Sequence, residues 1–220
     1  MVVTEKTWHD NTFAQLQKSV HAEWLRINVS SDLTLEKIDE INPKYLFFLH
    51  WSSIIPSSIY NKYDCVVFHM TDLPYGRGGS PLQNLIVRGH KTTKLSAIKV
   101  QKGIDTGDIY LKKELSLYGT AEEIFMRAGE LMAGMIKEII EKNIIPTPQE
   151  GESLLFKRRK PEDGNMEQLR SLEDVYNYIR MLDCEGYPSA FIDNENFRFE
   201  FTRASLKNNN IIADVRIIKK

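Results

Sequence analysis

Apolar residues fall into two kinds of pattern along this chain. Runs with apolar residues at consecutive or alternate positions predict strands, and stretches with apolar residues three and four apart predict helices. Trp24 to Val29 predicts a strand, with Leu25, Ile27 and Val29 on one face. Thr34 predicts an N-cap for a helix carrying Leu35, Ile38 and Ile41, with Leu33 placed to staple onto Ile38 and Pro43 closing the segment. Tyr45 to Trp51 is a near-continuous apolar run, the pattern of a strand buried on both faces, and Cys65 to Phe68 is another. Ser80-Pro81 predicts the next helix start, a capping residue followed by proline, with Leu82, Leu85 and Ile86 as its buried stripe. Leu95 to Val100 and Asp108 to Leu117 predict strands on either side of the loop Gly103 to Gly107. The longest helix is predicted over Ala121 to Lys142, opened by a Thr120–Glu123 capping box. Its broad apolar face runs through Ile124, Phe125, Ala128, Leu131, Met132, Met135, Ile136, Ile139 and Ile140.

Buried strands alternating with helices predict an α/β protein with a mostly parallel sheet. The segment from Pro146 to Gly151 has linker composition, and Lys157 to Gly164 is charged and turn-rich. Beyond it the pattern predicts a helix over Ser171 to Leu182, a half-buried strand with Phe197, Phe199 and Phe201 alternating with polar residues, and a last strand from Ile211 to Ile218. The expected organisation is a catalytic core over residues 1–145 and a small C-terminal α+β subdomain over 146–220. The Phe197–Phe201 strand could serve a homodimer or pack inside that subdomain.

Composition narrows the function. Of 220 residues, 42% are hydrophobic and 27% charged, which is ordinary for a globular protein and excludes a disordered one. With 29 Lys and Arg against 30 Asp and Glu, the net charge of −1 argues against neutralising many phosphates, so no nucleic-acid partner is expected. No apolar run reaches the roughly 18–20 residues that span a bilayer, and Met1 to Lys6 lacks a signal-peptide layout, so no membrane association is expected. Cys65 and Cys184 stand in no metal or disulfide spacing; the expectation is a cytoplasmic protein without a metal site.

Ligands of doubly wound α/β proteins bind at loops leaving the carboxyl ends of strands. Three loops qualify: Trp51 to Pro56, His69 to Ser80, and Gly103 to Gly107. His69 is the most reactive side chain among them, because an imidazole both takes and gives a proton near neutral pH. Asp105, in a glycine-bracketed loop, is a candidate partner that would orient the ring. Gly76-Arg77-Gly78-Gly79 is neither a dinucleotide fingerprint nor a P-loop, which argues against nicotinamide and ATP chemistry. Gly78, Gly79 and Ser80 expose backbone N–H groups suited to an anion, and Arg77 could add a bidentate contact.

The segment from His69 to Gln83 resembles the H-x-S-x-L-P-x-x-R-G-x-x-P-x-Q stretch of N10-formyltetrahydrofolate-dependent formyltransferases. Gly103 to Ile109 is similar to that family's G-[LI]-D-T-G-D-[IL] loop, and Ile54-Ile55-Pro56 falls at its I-L-P folate loop. The likeness covers roughly Tyr45 to Asn143. It implies a Rossmann-like formyltransferase core, N10-formyltetrahydrofolate as co-substrate, and His69 and Asp105 as catalytic residues. It further implies folate contacts from Trp51, Ile54, Ile55, Pro56, Gly103 and Ile104, and substrate contacts from Thr71, Arg77, Gly78, Gly79 and Ser80.

Within the family, Phe156 to Gly164 is similar to the R-R-x-P-E-D-G stretch of sugar N-formyltransferases, and the His69–Gly79 wording to pseudaminic-acid-pathway enzymes and to formylation domains of peptide synthetases. The methionyl-tRNA branch carries a larger C-terminal domain. The implied partners are therefore folate and a nucleotide-linked amino sugar, UDP-linked by preference, whose primary amine is formylated. The alternatives are formylation of an aminoacyl group on a carrier protein, formyltetrahydrofolate hydrolysis, and a folate-binding pseudoenzyme. In two places the chain departs from the family. Val67 stands where the family has the asparagine of Asn-x-His, leaving protonated His69, a backbone N–H or Asn84 to hold the oxyanion. The family's glycine-bearing first strand is expected to be missing or replaced by Thr7 to Val20.

Overall fold

The computed structural model describes residues 1–220, which divide into two compact units. The first comprises Met1–Gly78, Thr93–Leu115 and Met126–Leu155; the second comprises Gly79–Thr92, Ser116–Phe125 and Phe156–Lys220.

The first unit is built on a six-stranded sheet. Its strands are β1 (Val2–Val3), β2 (Arg26–Ile27), β3 (Tyr45–Phe48), β4 (Asp64–His69), and, after the short strand β5 (Tyr75–Gly78) outside this sheet, β6 (Thr92–Lys99) and β7 (Ile109–Ser116). The sheet order is β2-β1-β3-β4-β6-β7. β2, β1, β3 and β4 are mutually parallel, the arrangement expected for the apolar runs at β3 and β4. β6 runs antiparallel to β4, with Val66 opposite Lys99 and His69 opposite Ser96.

The first strand is present after all. Val2 and Val3 pair with both Arg26–Ile27 and Phe47–Phe48, and Thr7 to Ser19 is a 3-10 turn followed by α1 (Asp10–Ser19). Two valines with no exposed surface suffice because a central parallel strand is recognised by burial on both faces, not by length. The strand expected over Trp24 to Val29 shrinks to Arg26–Ile27, an edge position that pairs on one side only.

Local chemistry sets the helices. Thr34 Oγ1 accepts the Lys37 N–H at 3.3 Å to open α2 (Leu35–Ile41), and Asn42 closes it in the left-handed region at φ 48°. α3 (Ser57–Tyr60) is a single turn, and α4 (Pro81–Val87) follows in the second unit. α5 (Ala121–Lys142) contributes its first turn to the second unit and the remainder to the first, and Thr120 and Glu123 form the expected reciprocal cap. Ala128, Met132, Met135, Ile136 and Ile139 on its face are buried. The first unit's core gathers Val3, Ile27, Ile38, Leu46, Phe48, Ile55, Ile59 and Cys65. At roughly 1.5–3 kcal/mol per fully buried aliphatic or aromatic side chain, this packing is the main force holding the sheet.

The second unit carries α6 (Leu172–Arg180), preceded in the chain by β8 (Leu154–Phe156), and a three-stranded antiparallel sheet. Its strands are β9 (Ala190–Asp193), β10 (Phe197–Leu206) and β11 (Ile211–Lys219), in the order β11-β10-β9. Ser171 caps α6 by accepting the Asp174 N–H at 3.0 Å. Arg180 is buried there, and its guanidinium donates to the Leu117 carbonyl at 2.6 Å and the Gly119 carbonyl at 3.0 Å. No helix is long and apolar enough to cross a membrane.

Candidate active site

His69 ends β4 with its side chain 8% exposed. Its Nε2 lies 2.7 Å from the carbonyl oxygen of Gly76. A carbonyl only accepts, so Nε2 carries the hydrogen, and Nδ1 is the nitrogen whose protonation can change. The tautomer is thus set by Gly76, where the sequence suggested Asp105. Asp105 faces the other nitrogen: its Oδ2 stands 3.4 Å from His69 Nδ1 and accepts the Gly78 N–H at 2.9 Å.

How Asp105 reaches His69 was not readable from its position after a strand. Because β6 is antiparallel to β4, the loop following β6 leaves level with the start of β4, away from His69. Several devices turn it back. Gly107 sits where an added Cβ would come within 1.7 Å of the Lys99 carbonyl oxygen, so any side chain would displace the loop. Gly103 has φ +110°, and Asp105 itself adopts φ 51°, the left-handed region that non-glycine residues rarely occupy. Gln101 and Thr106 side chains bond to the loop's own backbone at 3.0 and 3.1 Å.

The other expected residues are placed as follows. Thr71 is fully buried and donates to the same Gly76 carbonyl at 3.3 Å, so its hydroxyl faces the His69 support and not solvent. The Arg77 guanidinium donates to Gln149 Oε1 at 2.8 and 3.1 Å. Trp51 packs edge-on against Phe48 at 5.9 Å, and its indole N–H is buried without a hydrogen-bond partner. Ile55 is in the core, whereas Ile54 is 95% and Ile104 68% exposed. Pro56 precedes α3 and Gly103 opens the Asp105 loop.

Two of the N–H groups suggested for an anion are already engaged, that of Gly78 by Asp105 and that of Gly79 within the second unit. Gly79 N–H donates to the Phe156 carbonyl at 3.1 Å, and a Cβ on Gly79 would lie 2.6 Å from Arg158 Cα. Ser80 has φ 51° and does not cap α4; its hydroxyl accepts the Arg159 N–H at 3.0 Å. Asn84 Nδ2 donates to the carbonyls of Gly79, Ser80 and Lys157, each at 3.0 Å, which removes it as a free oxyanion donor. Sequence reasoning missed Gln149, whose Nε2 donates to the carbonyls of Asp105 and Gly107, both at 2.8 Å. Its one signal was the departure from Gly, Ser and charged residues inside an apparent linker.

The sheet and the strand-end histidine define the class, a Rossmann-like α/β protein with a His–carboxylate couple. Comparison with known proteins makes this specific. A family model described as "Methionyl-tRNA formyltransferase, C-terminal domain" matches residues 161–218. A solved structure, methionyl-tRNA formyltransferase from Clostridium thermocellum, is 54% identical with a TM-score of 0.96, covering 100% of this chain and 98% of that one. The methionyl-tRNA formyltransferase of Clostridium botulinum is 28% identical over 180 residues, 78% of this chain and 58% of that protein. A 4-N formyltransferase from Francisella tularensis has the fold at 15% identity and a TM-score of 0.68, covering 88% and 91% of the two chains. The chain belongs to the methionyl-tRNA formyltransferase family; it spans little more than half the length of the curated relatives it matches.

Two expectations are thereby corrected. The nucleotide-sugar and pseudaminic-acid reading fails, because the chain is 54% identical to a methionyl-tRNA formyltransferase over its whole length, and the C-terminal part taken for a sugar-branch subdomain matches the methionyl-tRNA family. The R-R-x-P-E-D-G likeness rested on a short charged turn. The exclusion of nucleic acid fails too, since these relatives are named for a tRNA-borne substrate. Net charge averages the whole surface, whereas phosphate contacts are local; the run Lys157 to Lys160 shows how a balanced chain still concentrates cations. The aminoacyl-carrier alternative lies nearer to what the comparisons support.

Proposed function

We propose that the chain transfers a formyl group from N10-formyltetrahydrofolate to the α-amine of methionine esterified to tRNA. The observation that carries this reading is the His69–Asp105 couple, with Nδ1 of His69 left as the nitrogen that can change protonation. An α-amine titrates near 8, so a useful neutral fraction exists at neutral pH. Its nitrogen attacks the formyl carbon, and the carbonyl π pair moves onto oxygen. His69 Nδ1 takes the proton that the amine releases, and Asp105 steadies the resulting imidazolium. The C–N10 bond then breaks, and the proton passes to N10 as tetrahydrofolate leaves.

The folate suits the Trp51–Pro56 and Gly103–Gly107 loops. A pterin offers acceptors for the unpaired Trp51 indole N–H, and its flat faces would cover the exposed Ile54 and Ile104. Lys157 to Lys160 would meet tRNA phosphates. A catalytic core over residues 1–145 with a C-terminal part over 146–220, and a cytoplasmic location consistent with two free cysteines, belong to the same proposal. The test is tetrahydrofolate release by absorbance with Met-tRNA as acceptor. Release that requires both Met-tRNA and His69 is expected; release without any amine would overturn the reading in favour of hydrolysis.

A further inference from the structure

We propose that Gln149 is the positioning residue of this site: a single carboxamide holds the Asp105 loop on one side and the Arg77 guanidinium on the other. The inference rests on the formyl-transfer reading only for its kinetic consequence; the positioning itself is a matter of geometry.

Gln149 lies in a segment that composition marks as a linker, yet it is delivered to a fixed place. Two residues earlier, Thr147 and Ile109 exchange backbone hydrogen bonds of 3.0 and 2.7 Å, pinning the segment against the start of β7. The carboxamide is then satisfied completely. Both N–H groups donate, to the Asp105 and Gly107 carbonyls at 2.8 Å each, and Oε1 receives Arg77 Nε and Nη2 at 3.1 and 2.8 Å. A carboxamide offers two donors and an oxygen with two lone pairs, and all four are used. The orientation is unambiguous, since a flipped amide would set N–H against guanidinium and oxygen against two carbonyls.

Two consequences follow from that bond pattern. The two carbonyls are those of Asp105 itself and of Gly107 two residues on, and the left-handed backbone of Asp105 aims its carboxylate at His69 Nδ1 and the Gly78 N–H. Gln149 thus supplies, from outside the loop, the anchor for a strained conformation. On the other side, a neutral partner orients Arg77 without cancelling its charge, leaving that charge for an anionic group of a ligand. Glutamate at this position would do the opposite on both counts: it would neutralise Arg77 and face two carbonyl oxygens with a carboxylate. A leucine would fill the space and make none of the four bonds.

The experiment compares the full chain with Q149E and Q149L by two readouts. The first is NMR amide exchange at Gly78, whose N–H is held by the Asp105 carboxylate. Both variants should exchange there about tenfold faster, the worth of one hydrogen bond, with the β4–β6 ladder unchanged. Equal Gly78 exchange in either variant overturns the inference, whether or not the protein turns over Met-tRNA. The second readout is kinetic. A displacement of Asp105 by about 1 Å should lower kcat about 10²-fold while KM for the folate stays within twofold. A fall in stability with kcat intact would make Gln149 structural only and overturn the inference while leaving the formyl-transfer reading standing. Absence of His69-dependent transfer in the wild type would remove that reading, and the Gly78 exchange would still decide the positioning claim. Gln149 is half-exposed, so both variants are expected to fold.

Discussion

Two buried histidines in the same unit, His69 and His9, meet different kinds of partner. His69 faces a carboxylate at 3.4 Å and a carbonyl at 2.7 Å. His9 faces another histidine: its Nε2 lies 2.6 Å from His50 Nδ1, the rings stack at 4.9 Å, and Nδ1 reaches Thr12 Oγ1 at 3.3 Å. Burial holds His9 down to about 4, with Arg26 adding to the shift and Asp10 opposing it, and burial places His50 well below its ordinary range as well. Around this pair burial and Arg26 outweigh the charge of Asp10, which keeps His9 below its ordinary range.

The largest effect should come from removing the reactive member. His69→Ala is expected to lower formyl transfer about 10²–10⁴-fold with the fold intact, and His9→Gln much less. Equal losses in the two variants, measured by tetrahydrofolate release, would erase the distinction between the pairs.

Acid should break the other pair first. Because the folded-state value of His9 lies below 6.5, the unfolded chain binds more protons between pH 6.5 and about 4, and stability falls as pH drops through that window. A shift of this size corresponds to about 3 kcal/mol lost by pH 4. Urea titrations at pH 7 and 4.5 should show the loss in the wild type and a smaller one in His9→Gln. An unchanged slope in the variant would assign the acid sensitivity to groups other than His9, His50 among them.

Gly107→Ala sharpens the His69 side of the comparison. With the Lys99 carbonyl 1.7 Å from the new Cβ, the Asp105 loop must move, costing about 2 kcal/mol in stability and most of the turnover. Thermal melts and turnover should fall together. The smallest effect is expected for Thr34→Ala, which removes the α2 cap at a cost of about 1 kcal/mol without touching turnover. A drop in kcat there would mean that the site senses general stability.

Much of this was legible in the sequence where the determinant is local. Apolar runs marked β3 and β4, the Thr34, Thr120 and Ser171 caps lay where their spacing indicated, and His69 and Asp105 carried their neighbours' motifs with them. Failures came where the determinant is a partner distant in sequence. Val2–Val3 is too short to read as a strand until Arg26 and Phe47 flank it. Ser80 resembles a cap, but Arg159 occupies its hydroxyl. The acceptor substrate was misread because a short charged turn and an averaged charge say little about which large ligand a surface meets.

From the sequence alone came the α/β class and the formyltransferase resemblance, because each depends on residue type and short-range spacing. Tertiary structure decided the antiparallel course of β6, the return of the Asp105 loop, the proton-bearing nitrogen of His69 and the place of Gln149. Those features depend on which polar groups meet across separations from 7 to 72 residues of chain, and such meetings leave no periodic trace in the order of amino acids.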